Sequence, residues 1–296
     1  MRKNYRYLLL ILSTSAATNC SIERPLGSTP EHRKNLAYTL TPVTTFGFGQ
    51  NIVDKKNLLF YPYIYFFTGK NTHLVELAPA FLYGITNWLS LYVIIPFFTP
   101  YKINGVTSSG LSNIIIQMEY AFIQQISDTA INEATIVINV SPPSAHLKTS
   151  FDLCCTPTTL ANSASFFLGA TASHTSLDWY IYGSAGVTIS VTKECTHYGN
   201  SWLYEAGIGH YLASVHKQYT LAGILEFNGV YNQKNSAFGQ HIQNSGGNTF
   251  YIGPSLCLCA NRWQVQGGFQ LPAVQKLNGC QQKQSLRGTA AFTWIF

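Results

Sequence analysis

Beyond residue 57 the chain is a succession of apolar stretches with a period of two, each ended by a polar turn. Successive side chains of an extended strand point to opposite faces, so this period is that of strands with one apolar and one polar face. Twelve stretches fit: Leu58–Thr68, Thr72–Gly84, Trp88–Phe97, Leu111–Ala121, Ala134–Val140, Ser165–Ser173, Trp179–Ser190, Ser201–Ala213, Gln218–Tyr231, Asn248–Cys259, Arg262–Leu271 and Leu286–Phe296. Most have the ~9–11 residues that a tilted strand needs to cross a bilayer. In the ninth, Tyr219, Leu221, Gly223, Leu225, Phe227, Gly229 and Tyr231 form one apolar face, with Thr220, Ala222, Glu226 and Asn228 on the other.

The apolar faces must meet either a second sheet or lipid, and the connections favour lipid. Short links at residues 86–87, 124–132, 174–178, 214–217 and 260–261 alternate with longer ones at 99–110, 141–164, 191–200, 232–247 and 272–285. Short turns on one side, long loops on the other and an even strand count are the pattern of bacterial outer-membrane barrels. Gly69-Lys70-Asn71 is a tight hairpin on the long-loop side. The last stretch puts Phe292, Trp294 and Phe296 on one face, which resembles the terminal signal by which bacterial barrels are handed to the assembly machinery. The expectation is all-β: an antiparallel transmembrane β-barrel of about 12 strands over residues 58–296, in the bacterial outer membrane, with membrane lipid and the barrel-assembly machinery as partners. An exported soluble sandwich is the alternative.

Composition agrees. Charged residues are 10% of the 296, where soluble domains carry roughly 25%, and aromatics reach 14%. Disorder and a helical bundle are both excluded by that balance. The net charge of +6 lies partly in a leader: Arg2, Lys3 and Arg6 precede the apolar run Leu8–Leu12 and the small residues Ser13 to Ala17. That is the form of a signal peptide over residues 1–17. Its removal takes three bases and no acid, leaving +3, and no basic stripe with interleaved aromatics survives to bind nucleic acid. Cys20 offers an alternative, a lipid-anchored N-terminus, although Ala17-Thr18-Asn19 is a poor lipidation signal. Residues 18–57 then form a periplasmic segment.

Three stretches suggest a family. Ala78–Phe98 (APAFLYGITNWLSLYVIIPFF), Gly110–Phe122 (GLSNIIIQMEYAF) and Gly247–Gly279 (GNTFYIGPSLCLCANRWQVQGGFQLPAVQKLNG) resemble outer-membrane transporters described as "MetA-pathway of phenol degradation" proteins. The resemblance runs with gaps from about residue 40 to the end. Its motifs are a Tyr-Gly turn, a Gly-Leu strand start and a Gln-Leu-Pro strand exit. Ser112-Asn113 stands where the family tends to Gly-Asp, and Asn87-Trp88 where Asp-Arg is typical. The resemblance implies an outer-membrane barrel that passes hydrophobic or aromatic compounds.

Few residues could carry chemistry. Glu76, Glu119, Glu205, Glu226 and Arg287 fall at the polar-facing positions of strands. Charge near the midplane costs a few kcal/mol on the lipid face and little on the lumen face, so these five are expected to line the lumen. They form either a polar network or a cation-favouring constriction. Four acids against one base call for a counterweight, and residues 21–57 carry Arg24, Arg33, Lys34, Lys55 and Lys56 beside the stretch Thr41–Gln50. The expectation is that part of this segment plugs the periplasmic mouth and pairs with the acids; a tail or a short extra strand is the plainer reading.

Cys154, Cys155, Cys195 and Cys280 lie on the long loops as candidates for disulfides. Cys257 and Cys259 share one strand face, where small polar packing is expected, since CLC is not a zinc spacing. His174-Thr175-Ser176 on a short turn and His210 on the apolar face lack partners for nucleophilic catalysis. No catalytic, cofactor or metal site is expected. Tyr61, Trp88, Trp179, Trp202, Tyr219 and Trp294 are expected in interfacial girdles. Passive passage of small hydrophobic or aromatic solutes is the first functional expectation. A structural or adhesive barrel acting through the loops at 141–164 and 232–247 is the second.

Overall fold

The computed structural model describes residues 44–296 except 71, 104–105, 128, 148–162, 193–194, 216–218, 261 and 280. Cys20, Cys154, Cys155, Cys280, Arg24, Arg33, Lys34 and the leader lie outside the described residues.

The described chain forms a closed antiparallel barrel of twelve strands. The first five strands are interrupted: β1 (Leu58–Phe60 and Tyr63–Gly69), β2 (Thr72–Ala78 and Ala80–Gly84), β3 (Leu89–Ile94 and Phe97–Ile103), β4 (Val106–Leu111 and Ile115–Ile126) and β5 (Ala130–Ser141, continued by His146–Leu147). The rest are unbroken: β6 (Ser165–Ser176), β7 (Trp179–Ser190), β8 (Ser201–Val215), β9 (Tyr219–Asn232), β10 (Gly247–Ala260), β11 (Trp263–Leu277) and β12 (Gln284–Ile295). Each strand pairs with the next, and β12 returns to β1 through Tyr63↔Ala291 and Leu59↔Ile295, so no edge is left open.

The interruptions lie side by side. Tyr61 and Ala80 exchange both backbone hydrogen bonds, Ile95 N donates to Pro79 O, and Ser112 N donates to Pro96 O. Pro62, Pro79 and Pro96, each 17 residues from the next, therefore fall on one level of three neighbouring strands. Proline has no N–H to give to a ladder, and the break continues through 112–114 on β4 and 142–145 on β5.

Two expectations about strand ends are corrected. Residues 99–110 are not a long loop: β3 runs on to Ile103 and β4 starts at Val106, leaving a tight hairpin. Pro272 does not end its strand: β11 continues to Leu277, absorbing the proline at a register shift opposite Phe250 and Tyr251. The sorting of connections otherwise follows expectation. Links at 85–88, 127–129, 177–178, 216–218 and 261–262 lie at one end; 142–164, 191–200, 233–246 and 278–283 lie at the other. Between those long loops, Thr196–His197, Ser236–Ala237 and Gln240–His241 pair as a small sheet.

Burial alternates along the wall. In β9, Thr220, Ala222, Ile224, Glu226 and Asn228 are buried, while Tyr219, Leu225 and Tyr231 are exposed. The outer surface is correspondingly apolar, with Leu168, Leu212 and Leu256 more than half exposed, as a lipid-facing band requires. Trp88, Trp179, Trp202, Tyr219 and Trp294 lie on it as expected. Tyr61 does not. It shares the parity of Tyr63 and Tyr65, is fully buried inside, and accepts a hydrogen bond from Gln266 Nε2 at 2.8 Å.

Candidate functional site: the barrel interior

Residues 44–57 enter β1 from within the barrel, and residues 44–54 are all buried. Their backbone is irregular and belongs to no strand of the sheet, so its N–H groups need acceptors elsewhere. The wall supplies them as inward carboxylates. Thr45 N donates to both oxygens of Glu226 (3.0 and 3.1 Å) and Phe46 N to its Oε2 (3.2 Å). Phe48 N donates to Glu205 Oε2 at 3.1 Å. Gln50 N and Asn51 N donate to Glu119 at 2.5 and 2.9 Å. Val53 N then meets Ser90 Oγ at 3.0 Å and Lys55 N meets Asn87 Oδ1 at 3.0 Å, at the short-turn end. The segment thus crosses the inner wall from β9 past β8 and β4 to β3 before joining β1.

Wall hydroxyls complete the acceptors. Tyr182 Oη donates to Glu226 Oε2 at 3.1 Å, Ser255 Oγ donates to its Oε1, and Thr135 Oγ1 donates to Glu119 at 2.6 Å. Tyr180 Oη donates to the Gln50 side chain. Hydrogen bonds to a charged acceptor contribute about 1.5–3 kcal/mol each, which offsets the several kcal/mol that burying a carboxylate costs. The segment fits because it is slim. A Cβ on Gly47 would lie 2.7 Å from Glu205 Oε2; one on Gly49, whose φ is +82°, would lie 2.2 Å from Thr171 Cγ2. Phe48 packs edge-on against Phe167, ring centroids 4.7 Å apart.

The structure thus places all five charged wall residues inside, each buried, and brings three of the acids to the inner segment. The pairing differs from expectation in its donors. Among the described residues, backbone N–H groups answer the acids where basic side chains are the expectation, and Lys55 and Lys56 are exposed at the barrel end. A backbone donor has no residue type, so composition could not disclose it. The period-two string Phe46-Gly47-Phe48-Gly49 was the available signal.

Glu76 stands apart on β2. Tyr63 Oη lies 3.4 Å from its Oε1, and its Oε2 has no hydrogen-bond partner among the described residues. Around it the inner faces of β1–β3 carry Tyr61, Tyr63, Tyr65, Phe67, Tyr92 and Phe98, part of one buried apolar cluster. Ring centroids there are 6.2 Å apart for Tyr61–Tyr63 and 6.4 Å for Tyr61–Tyr92.

Arg287 on β12 completes the interior. Its Nε and Nη2 donate to Gln270 Oε1 at 2.9 and 2.5 Å. Its Cζ lies 3.8 Å from the ring centre of Tyr251 and 5.2 Å from that of Phe46. Neither ring stood out in the sequence, although Tyr251 shares the inward parity of Cys257 and Cys259.

The remaining candidates are placed as follows. Cys195 is exposed and free. Cys257 and Cys259 are buried, with sulfurs 3.1 Å apart and Gln264 Nε2 2.9 Å from Cys257 Sγ. His174 to Ser176 are not on a turn; they end β6. Ser176 Oγ is engaged with the backbone of Trp179, and His174 Nδ1 lies 2.7 Å from Asn132 Oδ1. His210 packs edge-on to Trp179 at 4.6 Å on the outer face. Among the described residues no three His, Cys, Asp or Glu side chains converge to hold a metal ion.

No family model matches the chain, and no curated protein matches it. Solved structures do. The crystal structure of the COG4313 outer membrane channel from Pseudomonas putida F1 is similar with a TM-score of 0.64 and 11% identity, over 82% of this chain and 96% of that one. The KdgM porin follows at 0.41 and 8%, over 81% and 99%. The CymD monoaromatic hydrocarbon channel gives 0.36 and 9%, over 82% and 89%. Only the first likeness is close enough to carry an argument, and it concerns architecture. The chain has the fold of an outer-membrane β-barrel.

Proposed function

We propose that the protein is a passive outer-membrane channel for small hydrophobic and aromatic compounds, and that residues 44–57 are its internal plug. The observation that carries this reading is the inner wall of β1–β3, where Tyr61, Tyr63, Tyr65, Phe67, Tyr92 and Phe98 are buried side by side. The interior of a membrane barrel is ordinarily polar, and a wall of rings there favours solutes that water holds poorly. The likeness in architecture to the Pseudomonas putida outer membrane channel supports a channel role. The plug is held by hydrogen bonds, with no disulfide among its described residues, so it can leave without covalent change. A second reading has an observation of its own. Phe238, at the tip of the hairpin Ser236–His241, is 83% exposed with a φ of +51°, and such a ring suits contact with a partner at the cell surface.

Vesicles containing lipopolysaccharide in the outer leaflet separate the two. With the refolded protein, entry of a labelled uncharged aromatic is expected to exceed that into protein-free vesicles several-fold, and deletion of residues 44–53 is expected to raise it further. Equal entry with and without protein would end the channel reading and leave the loops as the working surface.

A further inference from the structure

We propose that Arg287 and Tyr251 form a solute subsite for an uncharged aromatic ring, and that Phe46 occupies it in the closed barrel. This rests on the channel reading and specifies the solute that the channel takes. A cation within about 6 Å of a ring centre is attracted by the ring's quadrupole. Among the described residues the Arg287 guanidinium has two such rings, Tyr251 at 3.8 Å and Phe46 at 5.2 Å.

The two rings differ in what holds them. Tyr251 belongs to the wall, where its hydroxyl donates to Gln284 Oε1. Arg287 is fixed by Gln270, whose Nε2 donates in turn to Asn228 Oδ1. Four adjacent strands, β9 to β12, therefore supply the guanidinium, one ring and the side chains that brace them. Phe46 is the part supplied by the plug. Its fully buried ring demonstrates the space: a phenyl group fits over this guanidinium.

The surroundings select among aromatic solutes. A cationic one meets the like charge of Arg287. An anionic one meets the carboxylate of Glu226, whose Oε2 is already 3.2 Å from Phe46 N. Each charge also finds one attraction, a cation at Glu226 and an anion at Arg287, but must shed its water to enter a buried site, a cost that an uncharged ring on the guanidinium does not bear. A solute that takes the place of Phe46 must carry the backbone around it away from Glu226, so occupancy and release of Thr45 and Phe46 are one event.

Amide hydrogen exchange of the refolded full chain tests this, with benzyl alcohol as probe and cyclohexylmethanol as its non-aromatic counterpart. Benzyl alcohol is expected to speed exchange at Thr45 and Phe46 at least tenfold more than cyclohexylmethanol does, with the strand amides of β6 unchanged. Tyr251→Leu and Arg287→Gln are each expected to erase the difference; the first keeps the test decisive should the second not fold. Equal acceleration by both alcohols, or none by either, overturns the subsite. Aromatic entry into vesicles without release of Thr45 and Phe46 also overturns it while the channel reading stands. Release without entry supports the subsite and overturns passage.

Discussion

The inner wall has two halves that treat charge differently. On β4, β8 and β9, Glu119, Glu205 and Glu226 face residues 44–57 and receive their backbone N–H groups, with Thr135 adding a hydrogen bond to Glu119 and Tyr182 and Ser255 adding theirs to Glu226. On β1–β3, Glu76 sits among tyrosines with a 3.4 Å contact and one oxygen that has no partner among the described residues. The four acids share the same parity and the same burial. What separates them is the course of one inner segment, which supplies donors to one half and passes the other by. Burial of a carboxylate on a barrel interior is therefore not by itself a sign of what it does.

The comparison can be broken most sharply through the plug. Gly49→Val places a β-branched residue at a φ of +82° and a carbon 2.2 Å from Thr171 Cγ2, so the segment cannot keep its course. Single-channel recordings are expected to show steady conductance in this variant and closed wild-type protein; a silent variant that inserts would mean that another element blocks the lumen. Next in size is the contrast between two acids. Glu226→Leu strands four or more donors and is expected to cost about 3–5 kcal/mol. Glu76→Leu removes an incompletely satisfied carboxylate and is expected to lie within about 1 kcal/mol of wild type. Urea midpoints of the folded, heat-modifiable band measure both, and equal losses would erase the distinction between the halves. Well below the loss at Glu226 lies Tyr61→Phe, which removes the acceptor of Gln266 Nε2 at 2.8 Å and is expected to cost about 1 kcal/mol in the same assay.

The parts of this architecture written as side-chain alternation were open to reading. Parity placed Glu226 and Arg287 inside and Trp179 and Trp202 outside, because a misplaced charge or ring is expensive in lipid. Parity also assigns Tyr61 to the face of Tyr63 and Tyr65, against its expected place in a girdle, and the stretch Leu58–Thr68 runs straight through Pro62, where the structure interrupts the strand. Pro272 misled in the opposite direction: a bulge lets a strand continue past a proline, and bulges are properties of the paired ladder. The donors to the acids were invisible for a different reason, since they are amides that every residue but proline carries. Phe46 and Tyr251 come from segments 205 residues apart, and nothing local announces that they meet at Arg287.

The route of residues 44–57 also governs the order in which the chain can assemble. They lead straight into β1, whose pairing with β12 seals the wall, while Glu226 lies 181 residues beyond Thr45. Contacts of such separation form late, because long loops must close before they are rewarded. A nascent wall of the first seven strands has no Glu205 or Glu226 to offer, and the head of the segment has nothing to hold it. Seating of the segment and sealing of the seam therefore belong to the same final stage of folding, so a barrel caught before closure would also be a barrel with its inner segment unseated.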